Sequence, residues 1–323
     1  PLPAPGAAFT ARVGVERAQM VRDTLADLRA FDRAAREDRF ADAAPLLDRL
    51  GRDVLVIFVE SYGRGALDAD LYADTIRATL GAAEGPLAAA GLAMRSGWLA
   101  APTRGGQSWL SHATFARGLW VSDQTRHAAA LASDRAGLFH IARENGFRTA
   151  AVMPAITLDW PEAARMGFDT VHAAADLGYA GPPFNWVTMP DQFTLAATDR
   201  LLRSGAARKP LFAQIALVSS HAPWVPVPDL VPWPAVGDGT VFAPMAARGD
   251  PPEVVWRDRD RVRLQYRKAV DYALRTVFDY VHLNSGAGEP PLVFVLGDHQ
   301  PAPFVALDDR ADVPVHLIGP ARL

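Results

Sequence analysis

The sequence predicts an α/β fold, a mostly parallel central sheet sandwiched by helices, and two observations carry that expectation. Apolar runs rich in β-branched residues recur at 53–59, 147–153, 210–218 and 292–296 without in/out alternation, the pattern of strands covered on both faces. Stretches of helical period separate them, so strand and helix alternate along the chain as a parallel sheet requires.

Taken in order, residues 1–9 are rich in Pro, Ala and Gly and read as a linker. Val13, Met20, Val21, Leu25, Leu28 and Phe31 then recur at roughly helical spacing among Arg and Asp, which predicts an amphipathic helix reaching Arg36. Residues 1–50 therefore lead into one domain over 51–323. Its first strand, 53–59, is followed by a helix over 67–80, a short strand around 94–99 and a glycine-led loop. A helix is expected from Ser111 to Leu119, and another over 128–145 that stops at Asn145-Gly146. Strands follow at 147–153 and 168–171, with Asp159 and Trp160 in the loop between them. Pro190 and Asp191 open a helix to about Leu202, Pro190 suiting a first turn and Asp191 its positive end. After the strand 210–218, a Pro-rich aromatic loop spans 223–252 and a long helix 254–282. Strands at 292–296 and 313–318 close the domain.

Composition bounds the function. In 323 residues, 33 Lys and Arg stand against 36 Asp and Glu, so nothing in the charge calls for nucleic acid. The chain has no cysteine, which excludes disulfides, thiolate metal sites and a cysteine nucleophile. No run approaches the ~18 apolar residues of a membrane span. The chain begins at Pro1 without Met, so an upstream signal or membrane segment is compatible with it.

Four strand or loop ends carry reactive residues. Glu60 follows the first strand, where ligands of open parallel sheets gather; a lone acid there serves equally well as a helix cap. Asp298 and His299 follow the strand 292–296, and His221 follows 210–218, where a single histidine is more often structural. Ser108 follows Gly105-Gly106-Gln107, just ahead of a helix start whose free N–H groups suit an anion. Together, Glu60, Ser108, Asp298 and His299 would form an O/O/N/O set suited to Mn²⁺, Zn²⁺ or Mg²⁺. Coordination would lower the pKa of the Ser108 hydroxyl and turn a weak nucleophile into a strong one. His221 could then bind the transferred group or protonate the leaving oxygen. This chemistry predicts a covalent phospho- or sulfo-serine intermediate.

These motifs resemble the alkaline phosphatase superfamily, in particular its sulfatase-like branch of lipoteichoic acid synthases, phosphoglycerol transferases and phosphoethanolamine transferases. Val59-Glu60-Ser61 resembles the first metal motif, Gly105-Gly106-Gln107-Ser108 the nucleophile loop, Ser219-Ser220-His221 the substrate-phosphate segment, and Gly297-Asp298-His299 the remaining metal pair. The resemblance implies a divalent metal, Mn²⁺ first with Zn²⁺ or Mg²⁺ as alternatives. It also implies a phospholipid donor, phosphatidylglycerol or phosphatidylethanolamine, and an envelope glycan or lipid acceptor. The expected setting is a periplasmic or otherwise extracytoplasmic domain, tethered to the inner membrane by an upstream segment. Gln107, Trp109, Asp159, Trp160 and His221 are the expected substrate contacts. The chain departs from the branch in three ways: serine replaces the usual threonine at 108, the loop after Trp160 lacks the nearby arginine of glycerol-phosphate polymerising members, and cysteine is absent. A phosphodiesterase, phosphatase or sulfatase-type hydrolase on the same scaffold is the alternative, although the Pro and Arg of a sulfatase nucleophile motif are missing after Ser108. An inactive binding domain is a third reading, disfavoured by the retained ligands.

Overall fold

The computed structural model describes residues 5–38, 40, 46–205, 208–286 and 288–321. Seven strands form one sheet: β1 (Val54–Val59), β2 (Leu92–Ala100), β3 (Arg148–Met153), β4 (Thr170–Ala173), β5 (Leu211–Leu217), β6 (Leu292–Gly297) and β7 (Asp312–Pro320). Their order across the sheet is β2-β7-β6-β1-β5-β3-β4. The strands β6, β1, β5, β3 and β4 run parallel to one another, while β7 runs antiparallel to both β6 and β2.

β1 lies at the centre because each of its six residues is buried, three toward each helical layer. Leu55, Ile57 and Val59 face one core, which includes Val270, Leu274 and Val277 of the long helix Arg259–Leu283. Val54, Val56 and Phe58 face a second core with Phe139, Phe147 and Phe212. Burying each such side chain stabilises the fold by about 1.5–3 kcal/mol. Asp258 caps the long helix by accepting from the N–H groups of Asp260 and Arg261.

The amino end of β1 is tied down by charge. Asp53 accepts from Arg203 Nε at 3.0 Å, from both Arg208 terminal nitrogens at 2.8 and 2.5 Å, and from the Leu211 N–H at 2.8 Å. Burial opposes ionisation of this carboxyl, yet the two guanidinium groups and the Leu211 N–H hold its pKa below the usual carboxylate range. At the opposite, carboxyl end the register sets Val59 level with Leu217 and Gly297. Glu60, Val218 and Asp298 consequently leave the sheet side by side.

Several boundaries differ from the sequence-based expectation. The first helix spans Pro5–Arg36, so most of the expected linker is helical, while residues 1–4 lie outside the described residues. A proline is compatible with a first helical turn because its missing N–H would be unpaired there. Phe31 and Ala35 of this helix bury against Leu110, Ala113 and Ala130. The helix expected over 128–145 is two, Gln124–Ala132 and Leu138–Glu144. Between them Ser133 hydrogen-bonds the buried Arg117, and Gly137 lies so near the chain that an added Cβ would stand 2.6 Å from the Ala116 carbonyl oxygen. The helix expected from Ser111 begins at Ser108 itself. The helix after β1 runs Asp70–Ala89 and passes through Pro86, and the long helix starts at Arg259, after a separate turn at Pro252–Val255.

Candidate active site

Two neighbouring central strands, β1 and β6, deliver Glu60, Asp298 and His299 to one place. The carboxylate and imidazole ligand atoms of these buried residues all lie within 4.8 Å of one another. Gly297 permits the approach: a Cβ there would lie 1.8 Å from the Tyr62 carbonyl oxygen, so no other residue fits in that backbone.

Ser108 reaches the cluster from the loop after β2, as the first residue of the helix Ser108–Arg117. Its lead-in turns sharply, with Gly105, Gly106 and Gln107 at φ of 74°, 139° and 66°. The Gly105 N–H donates to the Gln300 carbonyl at 2.7 Å, tying this loop to the chain just after His299. As a result, Ser108 Oγ donates to Glu60 Oε2 at 2.8 Å and lies 3.2 Å from His299 Nε2. His299 Nε2 is also 3.3 Å from Glu60 Oε1 and 3.9 Å from Asp298 Oδ2.

A supporting shell fixes each group. The Gln300 carbonyl accepts from His299 Nδ1 at 2.8 Å, which turns Nε2 toward Ser108. Asp298 Oδ1 accepts the N–H groups of Ser61 and His299 at 2.8 and 2.7 Å, leaving Oδ2 for the cluster. Ser61 Oγ donates to Glu60 Oε1 at 2.9 Å, and the backbone of Ser61, at φ 57°, is held by Tyr266 Oη donating to its carbonyl at 2.9 Å. Ser220 Oγ donates to the Glu60 carbonyl at 2.6 Å.

Charge makes this cluster unusual. Among the described residues, no Lys or Arg pairs with Glu60 or Asp298; the nearest cationic partner is His299. Burial opposes ionisation of Glu60, but the hydrogen bond and charge of His299, with help from His221, hold its pKa well below the usual range. Burial and the charge of Glu60 push Asp298 up to about 8. Burial works against a charged His299, yet Asp298 and Glu60 push it up to about 10. Two buried carboxylates and one imidazole with no Lys or Arg paired to them hold one another through shared protons, whose place a divalent cation would take. The donor set, hard oxygens with one imidazole, fits Mn²⁺, Zn²⁺ or Mg²⁺.

A cavity of about 510 Å³ opens beside Ser108, lined by Glu60, Gln107, Trp109, Trp160, His221 and Asp298 among others. Trp109 is half-exposed at 48%. His221 is exposed, and its Nδ1 faces the Ala222 carbonyl at 2.5 Å, which leaves Nε2 as the ring nitrogen for a ligand. Asp159 is exposed and is not among the lining residues, so the structure brings together every expected site residue except this one. The cavity also takes in His112, His127 and Gln214, which no sequence motif marked. The available signals were faint: a glutamine within the apolar strand β5, and a histidine four residues past Ser108 on the same helix.

The family model described as Sulfatase matches residues 52–313. No curated protein sequence matches the chain. Among solved structures, the lipoteichoic acid synthase LtaP from Listeria monocytogenes superposes with a TM-score of 0.56 at 14% identity, over 83% of this chain and 65% of that one. The chain thus spans just under two thirds of LtaP. The Streptococcus pyogenes phosphoglycerol transferase GacH, in complex with sn-glycerol-1-phosphate, gives 0.54 at 11% identity over 93% of this chain and 74% of its own. The soluble domain of lipooligosaccharide phosphoethanolamine transferase A from Neisseria meningitidis gives 0.52 at 14% identity over 84% and 77%. At these identities the likeness is one of fold. The family match covers most of the chain, from just before β1 into β7, and the chain belongs to the sulfatase family of the alkaline phosphatase superfamily.

Proposed function

We propose that this protein is a metal-dependent phosphotransferase that moves a phospholipid headgroup to an envelope glycan or lipid through a phospho-Ser108 intermediate. The observation that carries the proposal is the seating of Ser108 Oγ, 2.8 Å from Glu60 and 3.2 Å from His299, inside a metal-ligand cluster at the mouth of a cavity. Glu60, Asp298, His299 and Ser108 would hold the ion, Mn²⁺ first with Zn²⁺ or Mg²⁺ as alternatives. The bound ion supplies a lowered pKa for the serine hydroxyl and a positive charge beside the transferred phosphoryl group.

Ser108 Oγ attacks phosphorus, the bond to the diacylglycerol oxygen breaks, and that oxygen leaves with a proton. His221, whose Nδ1 is engaged by the Ala222 carbonyl, presents Nε2 to a phosphoryl oxygen or to the leaving oxygen. In the second half an acceptor hydroxyl attacks phosphorus, gives up its proton, and Ser108 Oγ departs. Gln107, Trp109 and Trp160 line the space in which the headgroup is held, and Asp159 lies outside it, on the surface of the adjoining loop. Transferases of both headgroup types share this fold, which supports the substrate class. Action at a membrane follows from the lipid donor. No described helix is long and apolar enough to cross one.

Acceptor dependence tests the reading. Diacylglycerol release from phosphatidylglycerol or phosphatidylethanolamine, measured with and without a crude envelope glycan fraction, rises with the acceptor if the protein is a transferase. Acceptor-independent release at full rate would instead make it a phosphodiesterase on the same scaffold.

A further inference from the structure

The most exposed apolar side chains of the protein stand at the mouth of the Ser108 cavity. Leu158 and Trp186 are 82% and 83% exposed, and among the described residues no other large hydrophobic side chain exceeds 70%. One exposed leucine is ordinary on a protein surface. Two large side chains standing almost free beside one cavity mark a contact surface.

Leu158 lies in the loop after β3, between Ile156 and Trp160, which both line the cavity. The Ile156 N–H donates to the Met153 carbonyl at 3.0 Å, and the Ala174 N–H donates to the Ile156 carbonyl at 2.9 Å, so the loop is held in shape. Trp186 occupies the tip of a two-residue turn, Asn185-Trp186, closed by hydrogen bonds in both directions between Phe184 and Val187 at 2.7 and 3.0 Å. Phe184 and Val187 are buried, which roots the turn in the core. Thr188 Oγ1 donates to the Pro154 carbonyl at 2.7 Å and joins this turn to the start of the Leu158 loop. On its other side Asn185 Nδ2 donates to the Val225 carbonyl at 2.5 Å. Trp109, next to Ser108 in the chain, is the third exposed apolar group on the same rim.

The form of this surface selects its occupant. A folded partner would need a matched pocket for each protruding side chain, whereas the fluid apolar layer of a bilayer takes them in without one, and tryptophan favours the boundary between headgroups and acyl chains. No Lys or Arg occurs in residues 153–162 or 182–189 or lines the cavity, and Asp159 and Glu162 are exposed beside Leu158. Attraction to anionic headgroups therefore does not hold this face; apolar insertion does. We infer that Leu158 and Trp186 insert into the surface of a lipid bilayer and set the Ser108 cavity against it, so that a headgroup enters while its acyl chains stay in the membrane. This inference rests on the phosphotransferase reading above for what enters the cavity, and it names the physical form of the donor as lipid in a bilayer.

The chain has no cysteine, so Leu158→Cys, Trp186→Cys and Leu283→Cys each carry one nitroxide label. Leu283 is 51% exposed at the opposite end of the sheet, where Asn284 accepts from the Arg203 that binds Asp53. With phosphatidylcholine vesicles at millimolar lipid, the labels at 158 and 186 should lose accessibility to a water-soluble nickel complex by at least about threefold while gaining it to oxygen, and the label at 283 should not change. High salt should leave the result intact, because no charge attraction carries it. Labels at 158 and 186 that stay in water, or a label at 283 that enters the membrane equally, would overturn the inference. So would labels at 158 and 186 that become immobilised without lipid as protein concentration rises, which would assign the face to a second copy of the chain.

Activity separates this inference from the reading beneath it. In the Mn²⁺-loaded protein, Leu158→Ser with Trp186→Ser should slow labelling of Ser108 by phosphatidylglycerol or phosphatidylethanolamine in vesicles by at least about tenfold, while labelling by a chromogenic phosphodiester in solution changes less than about twofold. Equal slowing with both kinds of substrate, or vesicle lipid used at the wild-type rate by the double variant, would sink the docking face alone. Insertion of 158 and 186 without labelling of Ser108 by any substrate would leave the docking face standing and remove the phosphotransferase reading.

Discussion

Protons and metal compete for the same atoms at the strand-end cluster, and the size of that competition follows from the geometry. Burial and the charge of Glu60 raise Asp298, and the two carboxylates raise His299, so the metal-free pair keeps its protons to higher pH than free side chains do. A metal takes the deprotonated imidazole and carboxylate, so each ion bound releases those protons. The sign is fixed by that release: apparent affinity rises with pH below the raised values and falls as acid is added. Each proton released gives about a tenfold change per pH unit, so between pH 6 and pH 8 Mn²⁺ affinity should rise by roughly 100-fold for one proton and toward 10⁴-fold for two. Titration calorimetry in two buffers of different ionisation enthalpy reads the proton count directly, and the pH series reads the slope. A slope below about half a unit, or no proton release near pH 7, would refute the argument that buried Asp298 and His299 share a proton load that the ion displaces.

Three further outcomes are expected. His299→Ala removes the only nitrogen ligand and should lower metal affinity by at least about a hundredfold, read as metal content after gel filtration; unchanged content would take His299 out of the site. Ser108→Ala should keep the fold and the three strand-end ligands, so metal content stays within about threefold of wild type by the same assay while covalent labelling disappears; labelling that persists would move the nucleophile to Thr103 or Ser111. Asp53→Ala leaves Arg203 and Arg208 without their shared buried carboxylate and should destabilise the protein by about 3–5 kcal/mol in urea unfolding. Because the pKa of Asp53 is depressed, this contribution is complete above the unfolded carboxylate value of about 3.9 and is lost as pH falls through the folded value. A loss under 1 kcal/mol would mean that the ion pairs at the amino end of the sheet are replaceable.

Much of the site was legible because parallel sheets put chemistry in one place. Glu60, Asp298 and His221 each stand at or just past the end of an apolar strand, and the register of β6, β1 and β5 brings those three ends together. Ser108 was legible from its glycines, since a loop that turns through three positive φ values needs them. Strand direction was not: nothing local to residues 312–320 says that β7 runs antiparallel, because its direction is decided by pairing with both β6 and β2. The break between the helices at Gln124–Ala132 and Leu138–Glu144 depends on Arg117 reaching the Ala130 and Ser133 carbonyls, a contact between segments. The lining of the cavity by Gln214, His112 and His127 was hidden for the same reason. A lone Gln214 or His112 has no pattern in sequence, and only the fold places both beside one cavity.

The most direct test of the central claim is the intact mass of the purified protein after incubation with Mn²⁺ and either phosphatidylglycerol or phosphatidylethanolamine, quenched in acid. The expected result is a mass gain of one glycerophosphoryl group with phosphatidylglycerol or one phosphoethanolamine group with phosphatidylethanolamine, located on Ser108 by peptide mapping and absent from Ser108→Ala. Metal-loaded protein that releases diacylglycerol yet never carries an adduct at any quench time, or an adduct on another residue, would contradict it.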